Sequence, residues 1–230
     1  MRDVAVIIPA GGLSRRFGGE RSKLLELLAG RSVLTRTIDA FASRSDIAQI
    51  IVPSLDPDAY RNQAHNPAWT CDVRFVTGGS SRAASVLNGL SSVDRKIDWI
   101  AVHDAARPLV SPDLITRTLL AARTHGAAAP ALPVTQTIKQ ATGPLPALVS
   151  QTVPRHNLFA LQTPQIMRHV DLLEAFKRCP IPLDQITDDL QLLELAGKPV
   201  WLIPGDERNL KITTPIDLQI ASWHLSNTRD

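Results

Sequence analysis

The chemistry this chain can do is concentrated first in a basic, glycine-rich segment close to its start. An apolar run ends at Pro9, and the stretch from Ala10 to Lys23 then holds four cations, one acid and four glycines. Small residues let backbone N–H groups approach an anion closely, while Arg and Lys supply charge that backbone dipoles cannot. Such a segment suits a polyphosphate. It matches neither G-x-G-x-x-G nor G-x-x-x-x-G-K-[ST], which argues against a dehydrogenase or an ordinary P-loop ATPase. A flexible basic surface loop is the alternative, and the position directly after a strand favours phosphate binding.

Further groups recur in similar places. Gly78-Gly79 leads into Ser80, Ser81, Arg82 and Ser85, which by itself indicates a tight turn before a helix. His103-Asp104-Ala105-Ala106-Arg107-Pro108 offers a carboxylate for a metal or hydroxyl and a guanidinium for a phosphate. A structural ion pair explains Asp104 and Arg107 equally well, and both readings stay open. His103, in an apolar run, reads as a core histidine rather than a ligand. Thr187 reads as a helix N-cap, and Arg155 and Lys211 as solvated charges.

The elements that must position these groups alternate. Val4–Pro9, Ile47–Val52, Val73–Val76, Trp99–His103, Ala127–Leu132 and Val200–Ile203 read as strands. Ser32 caps a helix through Phe41, Ser81 one through Leu90, and Ser111 with Pro112 one through Thr124. Thr187 with two following acids starts a helix that stops at Gly197, and Thr214-Pro215 opens the last. This order predicts an α/β fold with a mostly parallel sheet, whose ligands lie beyond the carboxyl ends of the strands. Val134–Gln140 and Leu148–Val153 break the rhythm as a protruding hairpin, a β-arm at about 134–153. A lone hairpin is marginally stable, so it packs on something; another subunit is the natural candidate, and its own domain is the alternative.

Composition narrows the class. At 44% hydrophobic and 20% charged residues, the chain is ordinary for a globular protein and unlike a disordered or fibrous one. With no break in composition, a single domain spanning residues 1–230 is expected. Cys71 and Cys179, far apart, form no zinc pattern and read as buried thiols. No stretch approaches the roughly 20 apolar residues of a membrane span. The cytoplasm is the default address and no membrane partner is expected. Net charge of +3 hints at acidic partners, but aromatic content of only 4% favours phosphorylated small molecules over nucleic acid.

Taken in order, these motifs resemble the 2-C-methyl-D-erythritol 4-phosphate cytidylyltransferase family of the non-mevalonate isoprenoid pathway. The matching segments are P-A-G-G-x-S-R-R-F-G with Lys23, G-G-x-x-R-x-x-S-V-x-x-G-L, H-D-A-A-R-P, P-V-T-x-T-I-K, T-V-x-R, L-Q-T-P-Q, I-T-D-D and N-x-K-I-T. The resemblance implies a Rossmann-like three-layer nucleotidyltransferase fold, a β-arm exchanged in a homodimer, CTP and a polyol phosphate as substrates, and Mg²⁺ as cofactor. It implies that Arg16 and Lys23 stabilise the transition state, while Arg155 and Lys211 position the methylerythritol phosphate. Ala10, Gly11, Gly12, Gly79, Ser80, Ser85 and Ala105 would surround the nucleotide. Asp104 and Arg107 would lie between the substrates, with Asp104 the candidate metal donor. Thr137 of the arm and Thr187 would touch the second substrate.

The chain departs from the family's pattern at Ser81 and Ala84, where acids are common, at Gln136, where Asp is usual, and at Leu24. Two alternatives follow. One is cytidylyl transfer to another polyol phosphate such as ribitol 5-phosphate; the other is a catalytically silent nucleotide-binding relative.

Overall fold

The computed structural model describes residues 2–12, 17 and 22–227. In chain order its strands are β1 Val4–Ile7, β2 Leu27–Leu28, β3 Arg31–Ser32, β4 Ile47–Ser54, β5 Asp72–Thr77, β6 Trp99–Val102, β7 Ala127–Pro133, β8 Ile138–Ala141, β9 Val149–Val153, β10 Phe159–Leu161, β11 Gln165–Arg168 and β12 Trp201–Pro204. The α-helices are α1 Val33–Ala42, α2 Pro57–Gln63, α3 Arg82–Leu90, α4 Pro112–His125, α5 His169–Lys177, α6 Asp189–Leu195 and α7 Pro215–Asn227.

Strand alternation builds the layers. Along β1, Val4, Val6 and Ile8 face a core completed by Leu34, Ile38 and Phe41 of α1 and Leu114 of α4. Ala5 and Ile7 face the opposite side, against Val86 and Leu90 of α3 and Leu172 of α5. Successive side chains of a strand point to opposite faces, so one buried apolar strand demands cover on both. Helices supply it. Each large side chain enclosed this way contributes on the order of 1.5–3 kcal/mol.

The main sheet is mixed. β6, β1, β4 and β5 run parallel, β12 is parallel to β7, and β11 lies antiparallel between β6 and β7. β10 also pairs antiparallel with β7, and β8 and β9 form a separate two-stranded ribbon at the expected arm. All three side chains of β10 and most of the ribbon are at least partly exposed. No helix among the described residues is long and apolar enough to cross a membrane.

The caps of α1, α3 and α4 fall where the sequence places them. Ser32, Ser81 and Ser111 each accept a hydrogen bond from the backbone N–H three residues on, and Gly126 ends α4 at a φ of 95°. Two expectations need correction. Asp188, not Thr187, caps α6, because the Asp188 carboxylate reaches the backbone N–H groups of Leu190 and Gln191 while Thr187 turns outward to Gln191. Cys71 and Cys179 are half-buried rather than buried, and burial still pushes the Cys71 thiol up.

Candidate active site

A cleft of about 670 Å³ lies beyond the carboxyl ends of β1, β5 and β6. Its first wall is the turn after β1, held by Ala10 N–H donating to the Pro53 carbonyl at 2.8 Å. Gly11 and Gly12 follow and line the cleft, with Lys23 and Leu24 further along.

The second wall is the turn between β5 and α3. The Ser85 hydroxyl accepts from Gly79 N–H at 3.0 Å and donates to the Ser81 carbonyl at 2.9 Å, which fastens the turn to the first turn of the helix. A Cβ on Gly79 would lie 2.5 Å from the Ala84 Cβ and 2.7 Å from its carbonyl carbon, so only glycine fits. Ser81 keeps the capping role open to the acid it replaces.

The floor is Asp104-Ala105-Ala106 and, opposite it, Lys211 and Thr213. Ile212 N–H donates to the Ala106 carbonyl at 2.8 Å, fixing the loop that carries Lys211 onto the end of β6. Lys211 Nζ then meets Asp104 Oδ2 at 2.8 Å, and Lys23 Nζ donates to the Ile212 carbonyl at 2.7 Å. Lys23 is thus bonded to the residue that follows Lys211, nearly 190 positions away in sequence, and Lys211 to Asp104. Arg82 closes the arrangement, with Nε 3.5 Å from Asp104 Oδ1 and Nη2 2.8 Å from Asp189 Oδ2. Arg107 Nε lies 3.5 Å from Asp104 Oδ2. Burial alone would raise the Asp104 carboxyl, but Lys211, Arg82 and Arg107 together hold it well below the usual carboxylate range. It stays ionised at any working pH.

The L-Q-T-P-Q segment braces this floor from beneath. Gln162 Nε2 donates to the Asp206 carbonyl at 2.8 Å, Thr163 Oγ1 accepts from Asp104 N–H at 3.1 Å, and Gln165 Oε1 accepts from Asp189 and Leu190 N–H at 2.8 and 3.1 Å. Thr163 has its hydroxyl proton left for His103 Nδ1 at 3.1 Å, so the ring carries its proton on Nε2 and donates to the Arg107 carbonyl at 3.1 Å. Burial pushes the His103 pKa down to about 4. His103 is a fully enclosed, hydrogen-bonded core histidine.

The chain matches the family model "IspD: 2-C-methyl-D-erythritol 4-phosphate cytidylyltransferase" over residues 4–227. The 2-C-methyl-D-erythritol 4-phosphate cytidylyltransferase of Symbiobacterium thermophilum is 40% identical over 219 residues, covering 95% of this chain and 91% of that one. This chain belongs to the 2-C-methyl-D-erythritol 4-phosphate cytidylyltransferase family. The bifunctional enzyme IspD/IspF of Desulfotalea psychrophila is 38% identical over 231 residues, which span all of this chain but 58% of the relative. Among solved structures, that of the Francisella tularensis 2-C-methyl-D-erythritol 4-phosphate cytidylyltransferase superposes with a TM-score of 0.82 at 31% identity, covering 96% of this chain and 99% of that one. The α/β nucleotidyltransferase fold is therefore shared with the family.

Of the residues singled out for the family's site, Gly11, Gly12, Lys23, Gly79, Ser80, Ser85, Asp104, Ala105 and Lys211 line the cleft. Ala10 is buried behind the first wall, and Arg107 beneath the floor, where its guanidinium donates to the Asn209 carbonyl at 2.6 Å. That geometry is the ion-paired, structural alternative for Arg107. Thr137, Arg155 and Thr187 are exposed and do not line this cleft, and the Arg155 guanidinium donates to the Thr135 carbonyl at the base of the arm. Arg16 lies outside the described residues. Arg82, which sequence reasoning passed over, lines the cleft. Its signal is the arginine letter of G-G-x-x-R, but an arginine at the first position of a helix has no distinguishing mark until its partners are known.

Proposed function

We propose that the chain transfers CMP from CTP to 2-C-methyl-D-erythritol 4-phosphate, giving 4-diphosphocytidyl-2-C-methyl-D-erythritol and pyrophosphate. The observation that carries this reading is the convergence of Lys23, Arg82, Lys211 and Asp104 in one glycine-walled cleft at the strand ends. Family membership supports the choice of nucleotide and acceptor.

The chemistry follows from charge. A phosphate oxygen of the acceptor attacks the α-phosphorus of CTP in line, the bond to the β-phosphate oxygen breaks, and pyrophosphate leaves with the electron pair. The attacking group is already an anion, so no general base is required. The obstacle is bringing it to a triphosphate, since each unit-charge pair about 4 Å apart is worth roughly 4 kcal/mol at an effective dielectric near 20. Lys23 and Lys211 offset that repulsion, with Arg16 of the same basic segment, and their anchored geometry orients the reactants. Gly79 and Ser80 present backbone to the nucleotide, and Gly11, Gly12 and Ala105 leave it room.

Mg²⁺ fits this donor set. It binds through one or two carboxylates plus substrate phosphates, and Asp104 is the one carboxylate lining the cleft among the described residues. Asp104 would hold the ion beside the phosphates, where it would neutralise charge on the triphosphate and draw electron density from phosphorus. Asp104 also keeps the Lys211 ammonium in place.

The reading further includes a single domain, a cytoplasmic enzyme, and a homodimer in which the arm of each chain brings Thr137 and Arg155 to its partner's cleft. Exposed Leu145, Leu148 and Val149 on the arm support association, because apolar side chains at 87%, 76% and 51% exposure are left without cover in one chain. The test is incubation of the pure protein with Mg²⁺, each common nucleoside triphosphate and a panel of polyol phosphates, with products identified by mass. A CDP-linked methylerythritol as the preferred product is expected. Preference for ribitol 5-phosphate, or no pyrophosphate release with any acceptor, would overturn the assignment.

A further inference from the structure

Asp189 is a carboxylate whose local tasks are all done by other groups. The α6 N-terminus is capped by Asp188, whose Oδ1 accepts from Leu190 and Gln191 N–H at 3.0 and 3.1 Å. The Asp189 N–H is met by Gln165 Oε1 at 2.8 Å. Its own side chain has no exposure at all and makes no well-directed hydrogen bond. Among the described residues, its contact is the ion pair to Arg82 at 2.8 Å.

A buried ion pair is a poor stabilising device, since an apolar pair of similar volume does as well or better. Burial pushes the Asp189 carboxyl up and Arg82 only partly offsets it, so the helix carries this charge at a cost. What the pair does gain is direction. The planar guanidinium offers separate edges, Nη2 to Asp189 and Nε to Asp104. Beyond it, Asp104 holds Lys211 at 2.8 Å. The row Asp189, Arg82, Asp104, Lys211 alternates in sign from the buried start of α6 to the open cleft.

We infer that Asp189 and Arg82 are a positioning pair, in which Asp189 fixes the Arg82 fork so that Asp104, and through it the Lys211 ammonium, is presented to the reacting phosphates. The inference rests on the cytidylyl-transfer reading. Without Asp189, the guanidinium is free to turn fully onto Asp104 or onto a substrate phosphate. Arg82 then competes with Lys211 for the Asp104 carboxylate.

Asp189→Asn keeps the shape and removes the charge. In this variant kcat is expected to fall about 10- to 100-fold, the usual effect of losing a group that orients a site residue. KM for the acceptor phosphate rises with it, whereas KM for CTP changes by less than about threefold, since the nucleotide's walls do not involve Asp189. Arg82→Gln gives a similar loss, and the double variant is no worse than either single, because the two act as a unit. Arg82→Lys fails to rescue, having charge but no fork.

Wild-type kcat in Asp189→Asn, losses that multiply in the double variant, or full activity in Arg82→Lys would each overturn the pair. If Asp189→Asn does not fold, the kinetics of Arg82→Gln and Arg82→Lys carry the test by themselves. A crystal structure of Asp189→Asn or Arg82→Gln gives a readout apart from turnover. Lys211 Nζ is expected to leave Asp104 Oδ2, and retention of the 2.8 Å contact overturns the inference whatever reaction the protein catalyses. An inactive wild type with a displaced Lys211 in the variant would instead remove only the assigned reaction.

Discussion

Single residues in and beneath this cleft divide by whether they act through charge, shape or the lack of a proton. In the proposed reaction Lys23 acts through charge: Lys23→Ala is expected to lower kcat on the order of a hundredfold or more while weakening CTP binding far less, because negative charge redistributes at phosphorus in the transition state. Steady-state kinetics beside nucleotide titration separate the two effects. Gly79 acts through shape. Gly79→Ala drives a Cβ into Ala84, including a backbone carbon at 2.7 Å that no rotamer change can move, so the turn itself must shift. A stability loss of about 1–3 kcal/mol and at least a tenfold drop in kcat/KM for CTP are expected, and an alanine variant with unchanged kinetics would contradict a close-packed turn. His103 acts by staying neutral. Its folded pKa of about 4 lies below the ordinary 6.5, so the folded state binds fewer protons than the unfolded one. The stability it contributes is complete above about pH 6.5 and is lost as pH falls towards 4, by up to about 3 kcal/mol. Asp104, also held below its ordinary value, adds to the loss at still lower pH. Urea unfolding between pH 7 and 4.5 measures this, and His103→Gln should flatten the slope.

Elements show why the sequence was legible in part. Strands β1, β4, β5, β6, β7 and β12 are apolar runs bounded by breakers, and α1, α3 and α4 carry serine caps, so local signals agree with the fold. The walls of the cleft follow, being the turns between such elements. β11 and α5 were not legible. β11 is only four residues and opens on the last residue of L-Q-T-P-Q, and α5 begins at His169 after an Arg168 that makes no side-chain cap, its start fixed instead by the pairing of β11 with β6 and β7. α2 carried a usable signal in Asp56-Pro57 that was passed over. The arrangement around Asp104 was half legible: the carboxylate and both lysines stood out, but the bridging by Arg82 depends on α6 docking beside α3. Gln165 is the hinge of that docking. Gln165→Leu leaves the buried Asp189 N–H at the start of α6 without an acceptor, at roughly 1–3 kcal/mol, while Leu190 N–H keeps Asp188 Oδ1. A fall in melting temperature with protection of α6 amides lost first in hydrogen exchange is expected; uniform loss across the sheet would argue against local anchoring.

The molecule as a whole is a three-layer body with one appendage, and the proposed reaction makes both part of one site. If arms cross between subunits, each cleft uses Lys23 and Lys211 of one chain with Arg155 of the other. Lys23→Ala and Arg155→Ala homodimers are then both nearly inactive, while a purified mixed dimer holds one site with both lesions and one with neither. About half of wild-type activity per dimer is expected from independent sites, and a mixed dimer as inactive as its parents would place Arg155 outside the partner's cleft. The arm's attachment carries a separate implication. Pro133 pairs with Phe159, and Val134 N–H donates to the Leu158 carbonyl at 3.0 Å, so the chain leaves the sheet and rejoins it at a single point. Everything between is an insertion spliced across neighbouring residues. The arm's tip, between Thr137 and Arg155, can therefore drift in length and surface over generations without re-registering a strand or moving a residue of its own chain's cleft. Selection can reshape that tip on a different schedule from the cleft it is rooted beside.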